Sequence, residues 1–164
     1  MRRQLLPFLA LGLVVMGGLL AGVLWRNRGE RIELRGAILK VRTQGQDDNS
    51  TIAVIDFRFA NLSNHPFHVR LVEVSLEDAA GKPVEGMVVS EADAKSLCRY
   101  YPLLGQKYNE SLRMRDRIPS RQSWDRMLSA RFPIPEPGFQ ARRRLRVRVE
   151  DVDGAVSEIV EEKP

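Results

Sequence analysis

The sequence predicts a mainly β chain, an antiparallel β-sandwich with one short inserted helix, preceded by one N-terminal transmembrane helix. Three observations predict it. Residues 5–25 form an apolar run without a charge. Beyond it, apolar side chains recur at every second position in about seven short stretches, the period of a half-buried strand. Clusters of Gly, Pro, Asn and Asp separate those stretches at the spacing of an all-β domain. The expected organisation is a basic flank at 1–4, a transmembrane signal anchor at 5–25, a juxtamembrane linker at 26–31 and the sandwich at 32–164.

About twenty residues at a 1.5 Å rise cover a hydrocarbon core of about 30 Å, so the apolar run is long enough to span a bilayer. Arg2 and Arg3 precede it, and Arg26, Asn27 and Arg28 follow. A cleaved signal needs a shorter apolar stretch and a small-x-small site. Leu19-Leu20-Ala21 and Val23-Leu24-Trp25 supply none, and no cysteine nearby would carry a lipid, so an uncleaved anchor is expected. Trp25 then lies at the headgroup level. Arg26, Arg28, Arg31 and Arg35 favour a cytoplasmic C-terminal domain, whereas the signal-like start favours its export. Export is the expectation. Gly18 and Gly22 make a small-xxx-small pair through which two such helices could form a homodimer, although apolar spans commonly carry glycine without an interface.

The strands follow in order. Ile32 and Leu34 alternate with charges, Gly36 allows a bulge, and Leu39 with Val41 resume the alternation. Residues 44–50 make a polar turn. Ala53, Ile55, Phe57 and Phe59 then share one face, with Asp56 and Arg58 on the other. A turn at 61–66 leads to a strand at 67–76 whose apolar phase switches between Leu71 and Val72, as at a bulge or in a strand buried on both sides. After a turn at 78–82 come Val84 and Met87-Val88-Val89. Ser90 and Asp93 open a helix with a capping-box pattern; Ala94, Leu97, Cys98 and Tyr101 share its apolar face, and Pro102 ends it. Leu112, Met114 and Ile118 alternate with Arg113, Arg115 and Arg117. Trp124, Leu128, Ala130 and Phe132 mark the next strand, and Pro133, Pro135 and Pro137 a connection. A strand at 141–150 points Leu145, Val147 and Val149 inward and Arg142, Arg144, Arg146 and Arg148 outward. Asp153-Gly154 suits a hairpin turn.

Residues 54–86 combine a strand, Asn61-Leu62-Ser63-Asn64, Pro66, a second strand, then Gly81-Lys82-Pro83-Val84 and Gly86. This stretch resembles the water-stress and hypersensitive-response (type 2 late-embryogenesis-abundant) domain, and is similar to membrane-anchored immunoglobulin-like modules of bacterial envelopes. It covers roughly a fifth of the chain, and turn motifs of this kind recur in many sandwiches. Leu62-Ser63 stand where the plant pattern usually has a proline after the first asparagine, and the helix near Ser90 is additional. The resemblance implies an immunoglobulin-like fold with no catalytic residues to carry over.

Composition narrows the chemistry. The formal charge is +5, from 21 arginines and five lysines against 21 acidic residues. That mild excess lacks the basic run of a nucleic-acid binder. One cysteine, Cys98, leaves no intrachain disulfide and reads as a small apolar residue of its helix. His65 and His68, three apart, lack a third ligand and read as turn residues. Asp151-Val152-Asp153-Gly154 lacks the glycine and ligand series of a calcium loop. No catalytic residue, metal site or cofactor is expected. Two patterns could bind a partner. Arg113, Arg115 and Arg117, with Arg142, Arg144, Arg146 and Arg148, would form an anion-binding plate if their strands were neighbours. Ordinary charged solvent faces, partly neutralised by Asp56, Glu73 and Glu77, explain them more simply. Tyr100, Tyr101 and Tyr108 could dock a partner, or pack over the domain itself. The expected function is a non-enzymatic bacterial envelope protein in the cell membrane, presenting an interaction or scaffolding module to an unknown protein partner; the alternative is binding of anionic lipid or acidic polymer through the arginines.

Overall fold

The computed structural model describes residues 16–18, 21–22 and 33–161. The chain divides into two units, Met1–Arg31 and Ile32–Pro164. In the first, residues 16–18 and 21–22 are helical. The predicted flank at 1–4, the linker at 26–31 and the remainder of the predicted span at 5–25 lie outside the described residues. Among the described residues no helix is long and apolar enough to cross a membrane.

The second unit is mainly antiparallel β. Its strands are β1 (Leu34–Asp47), β2 (Ser50–Asn61), β3 (Phe67–Glu77), β4 (Pro83–Val88), β5 (Arg117–Ile118), β6 (Ser123–Phe132), β7 (Arg144–Asp151) and β8 (Val156–Val160). Helix α1 (Glu91–Tyr100) and a 3-10 turn (Pro102–Leu104) precede β5, and α2 (Glu136–Gln140) precedes β7. The sheet order is β1-β2-β6-β4-β3-β7-β8, with β5 beside β3. The sheet curls until its ends meet, where Leu34 N donates to Ser157 Oγ at 2.8 Å. Inside lie Ala53, Ile55, Phe57 and Phe59 of β2, Leu128, Ala130 and Phe132 of β6, and Leu145, Val147 and Val149 of β7. Each large side chain buried there contributes about 1.5–3 kcal/mol of transfer free energy.

The second face of β2 departs from expectation. Ile52, Val54 and Asp56 are buried, because α1 and the segment after it cover this face. Leu104 and Met127 pack on Ile52 and Val54, with Leu97 and Tyr101 beside them. Helix α1 starts as expected: Ser90 Oγ accepts from Asp93 N at 3.3 Å and donates to Asp93 Oδ2 at 2.7 Å. A buried ion pair fastens the covering segment. Arg42 Nη2 donates to Asp56 Oδ2 at 2.8 Å, with side-chain exposures of only 8% and 6%. Arg42 Nη1 also donates to the carbonyls of Leu104 and Gln106, and Asn109 Nδ2 donates to Asp56 Oδ1 at 3.0 Å. Asp56 is therefore an internal anchor and not a solvent-facing residue of an alternating strand.

Other differences are local. Strand β1 is irregular at Leu39, which is exposed, and again at Gln46, and not at Gly36. Gly36 answers to close backbone approach, since a Cβ there would lie 2.1 Å from Arg58 O. The polar turn after β1 shrinks to Asp48-Asn49, closed by Asn49 N and Ser50 Oγ donating to the Asp47 carboxylate. Strand β3 has a bulge, which falls between Val69 and Leu71 and so just before the phase switch at Leu71-Val72. The proline connection holds α2, whose Phe139 meets Phe132 edge-on at 5.1 Å. Glu136 of α2 accepts from Thr43 Oγ1 and Gly45 N, both at 2.9 Å, tying the connection to β1.

Candidate functional site

Strand β4 changes partner along its length. Residues 83–86 pair with β3, whereas Met87 and Val88 pair with Arg131 and Ala130 of β6. Gly86 stands at the departure, where a Cβ would lie 2.6 Å from Phe132 Cζ and 2.8 Å from Val74 Cγ1. Only glycine lets the backbone pass so close over the core. On the same side of β3, Val69 bonds to Asp116 O and Arg115 N, and the ladder resumes only at Val74. Residues 71–73 therefore have no strand partner on that side among the described residues.

The split opens a cavity of about 500 Å³. Leu71, Val72, Val88, Val89, Leu112, Met114 and Leu128 supply apolar walls, and Ser90, Ser111, Glu91 and Arg113 the polar lining. Residues 110–115 bridge the opening. Leu112 N donates to Met127 O and Met127 N to Glu110 O on the β6 side, while Arg115 N donates to Val69 O on the β3 side. Met114 is 66% exposed, so the apolar lining reaches the surface. A second recess of about 330 Å³ shares Val72 and Val88 and continues toward Glu73, Arg146, Arg148 and Glu158.

The titratable lining groups of the main cavity are already paired. Glu91 accepts from Lys107 Nζ at 3.0 Å and lies 3.1 Å from Arg113 Nη1. Those contacts, the Lys107 hydrogen bond foremost, hold its carboxyl below the usual range. Ser111 Oγ differs: it is buried, lines the cavity and has no hydrogen-bond partner among the described residues. The cleft thus offers aliphatic contact area, one unsatisfied hydroxyl and an open strand edge, a donor set suited to recognition.

The predicted arginine plate is redistributed. Residues 113–116 form a turn, with Arg115 at φ 72°, so Arg113, Arg115 and Arg117 do not share a strand face. The steric cause is plain: a positive φ at Arg115 breaks the alternation that would have aligned them. Arg117 lies on two-residue β5, and β3 separates that strand from β7. Arg113 pairs with Glu91 and Asp116. Arg142 precedes β7 and is buried, with Nε donating to Glu161 Oε2 at 2.9 Å and its guanidinium 4.6 Å from the Phe139 ring centroid. Arg144, Arg146 and Arg148 do point outward together, and each meets a carboxylate. Arg148 pairs with Glu73, Arg146 lies 3.4 Å from Glu158 and 3.7 Å from Glu77, and Arg144 lies 4.0 Å from Glu77. The Glu73 hydrogen bond raises the Arg148 guanidinium further above its ordinary value.

The tyrosines separate. Tyr101, in the covering segment, packs on the Ile52 and Val54 cluster, the Tyr108 ring centroid lies 5.1 Å from the Arg42 guanidinium, and Tyr100 is exposed beside a groove with Leu97 and Arg131. Asp151 serves its hairpin, accepting from Asp153 N and His68 N. Cys98 is a half-buried residue of α1. Among the described residues no three His, Cys, Asp or Glu side chains gather to hold a metal. The cleft left two traces in the sequence, the phase switch at Leu71-Val72 and the unbroken apolar run at 87–89. No family model, functionally described protein or solved structure matches the chain.

Proposed function

We propose that this chain is a non-enzymatic, single-pass envelope protein whose second unit is an immunoglobulin-like sandwich acting as an interaction or scaffolding module. On this reading the curled sheet is two packed layers, and β4 passes from one to the other at Gly86. The apolar run at 5–25 is the anchor, with the module exported. The observation that carries the proposal is the cleft, where an open edge of β3 at 71–73 borders aliphatic walls. An extended segment of a partner protein added beside β3 would gain main-chain hydrogen bonds from the edge and specificity from the pocket. The β7 face gives the anionic-ligand alternative no support, because its arginines are matched by glutamates.

Photo-cross-linking in intact cells of the native host tests this. With a photoreactive residue replacing Val88 or Met114 in the full chain, a discrete heavier adduct is expected. The same residue at Leu39 or Val156, exposed elsewhere, should give none. Adducts from all four positions, or from neither cleft position, would sink the idea. An export-dependent reporter fused after Pro164 tests orientation, with activity outside expected.

A further inference from the structure

One end of the curled sheet gathers four exposed arginines that stand outside the ion pairs seen on β7. Strand β1 begins there at Leu34, opposite Asn61 at the end of β2, and β6 begins there at Ser123, opposite Ala60. Three loops meet at this end, residues 61–66, 119–122 and 152–155. They form a fixed platform. The buried Asn61 side chain donates to the carbonyls of His65, Ile118 and Pro119, and Asn61 N donates to Gln122 O at 2.9 Å. Val152 N donates to His68 O at 3.0 Å, and buried Asp151 accepts from His68 N.

Two apolar tips project from the platform: Leu62 is 49% exposed and Val152 57%. Around them Arg35, Arg115, Arg117 and Arg121 are exposed, and among the described residues none has a carboxylate within ion-pair distance. Arg121 donates from Nε and Nη2 to the neutral Asn64 Oδ1, which fixes its direction without cancelling its charge. Against these four charges stand exposed Glu33 and Asp153 and buried Asp151, while Asp116 is taken by Arg113, so the positive sign prevails by one formal charge. This contrasts with β7, where every outward arginine has a glutamate.

Chain length connects this end to the membrane reading. Leu34 follows Trp25 by nine residues, which extend over at most about 30 Å, and Arg26, Arg28 and Arg31 lie in that stretch. We propose that this end of the domain is a membrane-contact surface. Arg35, Arg115, Arg117 and Arg121 bind the phosphates of anionic lipid headgroups, and Leu62 and Val152 enter the headgroup boundary. The inference rests on the proposed anchor and adds to it a fixed docked orientation of the domain.

The test uses the full chain in vesicles of phosphatidylglycerol with phosphatidylcholine, or of phosphatidylcholine alone. Cys98→Ser provides the background, and a fluorophore is placed through Val152→Cys or, at the opposite end of β1, Asp48→Cys. A lipid-borne quencher should dim the Val152 probe in the anionic vesicles only, and the Asp48 probe in neither. Arg115→Gln/Arg117→Gln/Arg121→Gln should lower the docking constant about 100-fold, at about fivefold per arginine near an anionic surface. Arg144→Gln/Arg146→Gln/Arg148→Gln should leave quenching intact. Equal quenching in both lipids, no quenching at Val152, or quenching that survives the first triple variant overturns the inference. Flotation with the vesicles at about 1 M salt, where the Debye length is about 3 Å, reads the anchor separately. A chain that floats without quenching loses only the contact surface; a chain that fails to float loses the anchor, and the inference with it.

Discussion

Replacing Asp56 by asparagine strips the negative charge from the pair that fastens the covering segment to β1 and β2. Arg42 would keep its carbonyl bonds to Leu104 and Gln106. Its guanidinium, 8% exposed and with Nε already unpartnered, would hold a buried charge without a counter-ion. Breaking a buried pair from one side costs about 3–5 kcal/mol. For a domain of this size 1 kcal/mol moves the midpoint by about 3–4 °C, so a fall of roughly 10–20 °C is expected. Arg42→Met with Asp56→Leu removes both charges, and an apolar pair of similar volume is often neutral. The carbonyls of Leu104 and Gln106 and the Asn109 amide would then lack these partners, so the double variant should fall near Asp56→Leu alone and well short of the sum of Arg42→Met and Asp56→Leu. Equilibrium denaturation of the full chain in micelles, read by Trp124 fluorescence in a Trp25→Phe background, supplies both numbers. A loss below about 1 kcal/mol for Asp56→Asn, or strict additivity in the double variant, would refute the reasoning.

Gly36→Ala should cost more than Gly154→Ala by at least about 1 kcal/mol in the same denaturation assay. The first drives a Cβ to 2.1 Å from Arg58 O, while the second meets open space and bears only the strain of φ 85°. Gly86→Ala should destabilise by about 1–3 kcal/mol through Phe132 and Val74, and cross-linking from Val88 should fall with it. Arg146→Gln, on the matched face, should change stability by less than about 1 kcal/mol. Asp47, Glu91 and Asp125 are held below the usual carboxylate range, mainly by hydrogen bonds from Ser50, Lys107 and Arg58 respectively. Their contribution is complete above the unfolded carboxylate value of about 4 and is lost as pH falls through the lower folded values. The midpoint contributed by these groups should stay level from neutral pH to about 5 and drop below about 4; a rise on acidification below 4 would contradict the assignment.

What the sequence revealed was the inward face of each strand, because a buried face imposes a period of two whatever lies beyond it. Ala53, Ile55, Phe57 and Phe59 were legible for that reason, as were Leu145, Val147 and Val149. The opposite faces were not, since their environment depends on what the chain returns to place there. Asp56 looked like a solvent residue until Arg42, fourteen positions away, and Asn109, fifty-three away, met it under the covering segment. Arg113, Arg115 and Arg117 alternated as a strand would, but the hydrogen bonds of the turn at 113–116 prevailed over that pattern. The cleft was not legible as a site for a related reason, although the phase switch at Leu71-Val72 and the apolar run at 87–89 mark where it lies. It arises where β4 leaves β3 for β6, and a change of partner leaves the local alternation almost untouched.

The arginines show why net charge alone is a poor guide to partners here. Arg42 and Arg142 are buried, each with a carboxylate, and hold segments of the domain together. Arg144, Arg146 and Arg148 form a face on which positive and negative groups alternate at close range, so its field falls off within a short distance. Arg35, Arg115, Arg117 and Arg121 stand at the end where β1 begins, outside such pairs, so their charge is not cancelled at close range. Salt should therefore act unequally. Screening of the exposed pairs on β7 removes little stability, because each contributes little at the outset. Screening of the end with β1 removes most of the attraction to an anionic surface, because that attraction sums over unpaired charges. A salt titration that lowered the unfolding midpoint in step with vesicle docking would place both groups in one electrostatic network; independent responses are expected from the separation seen here.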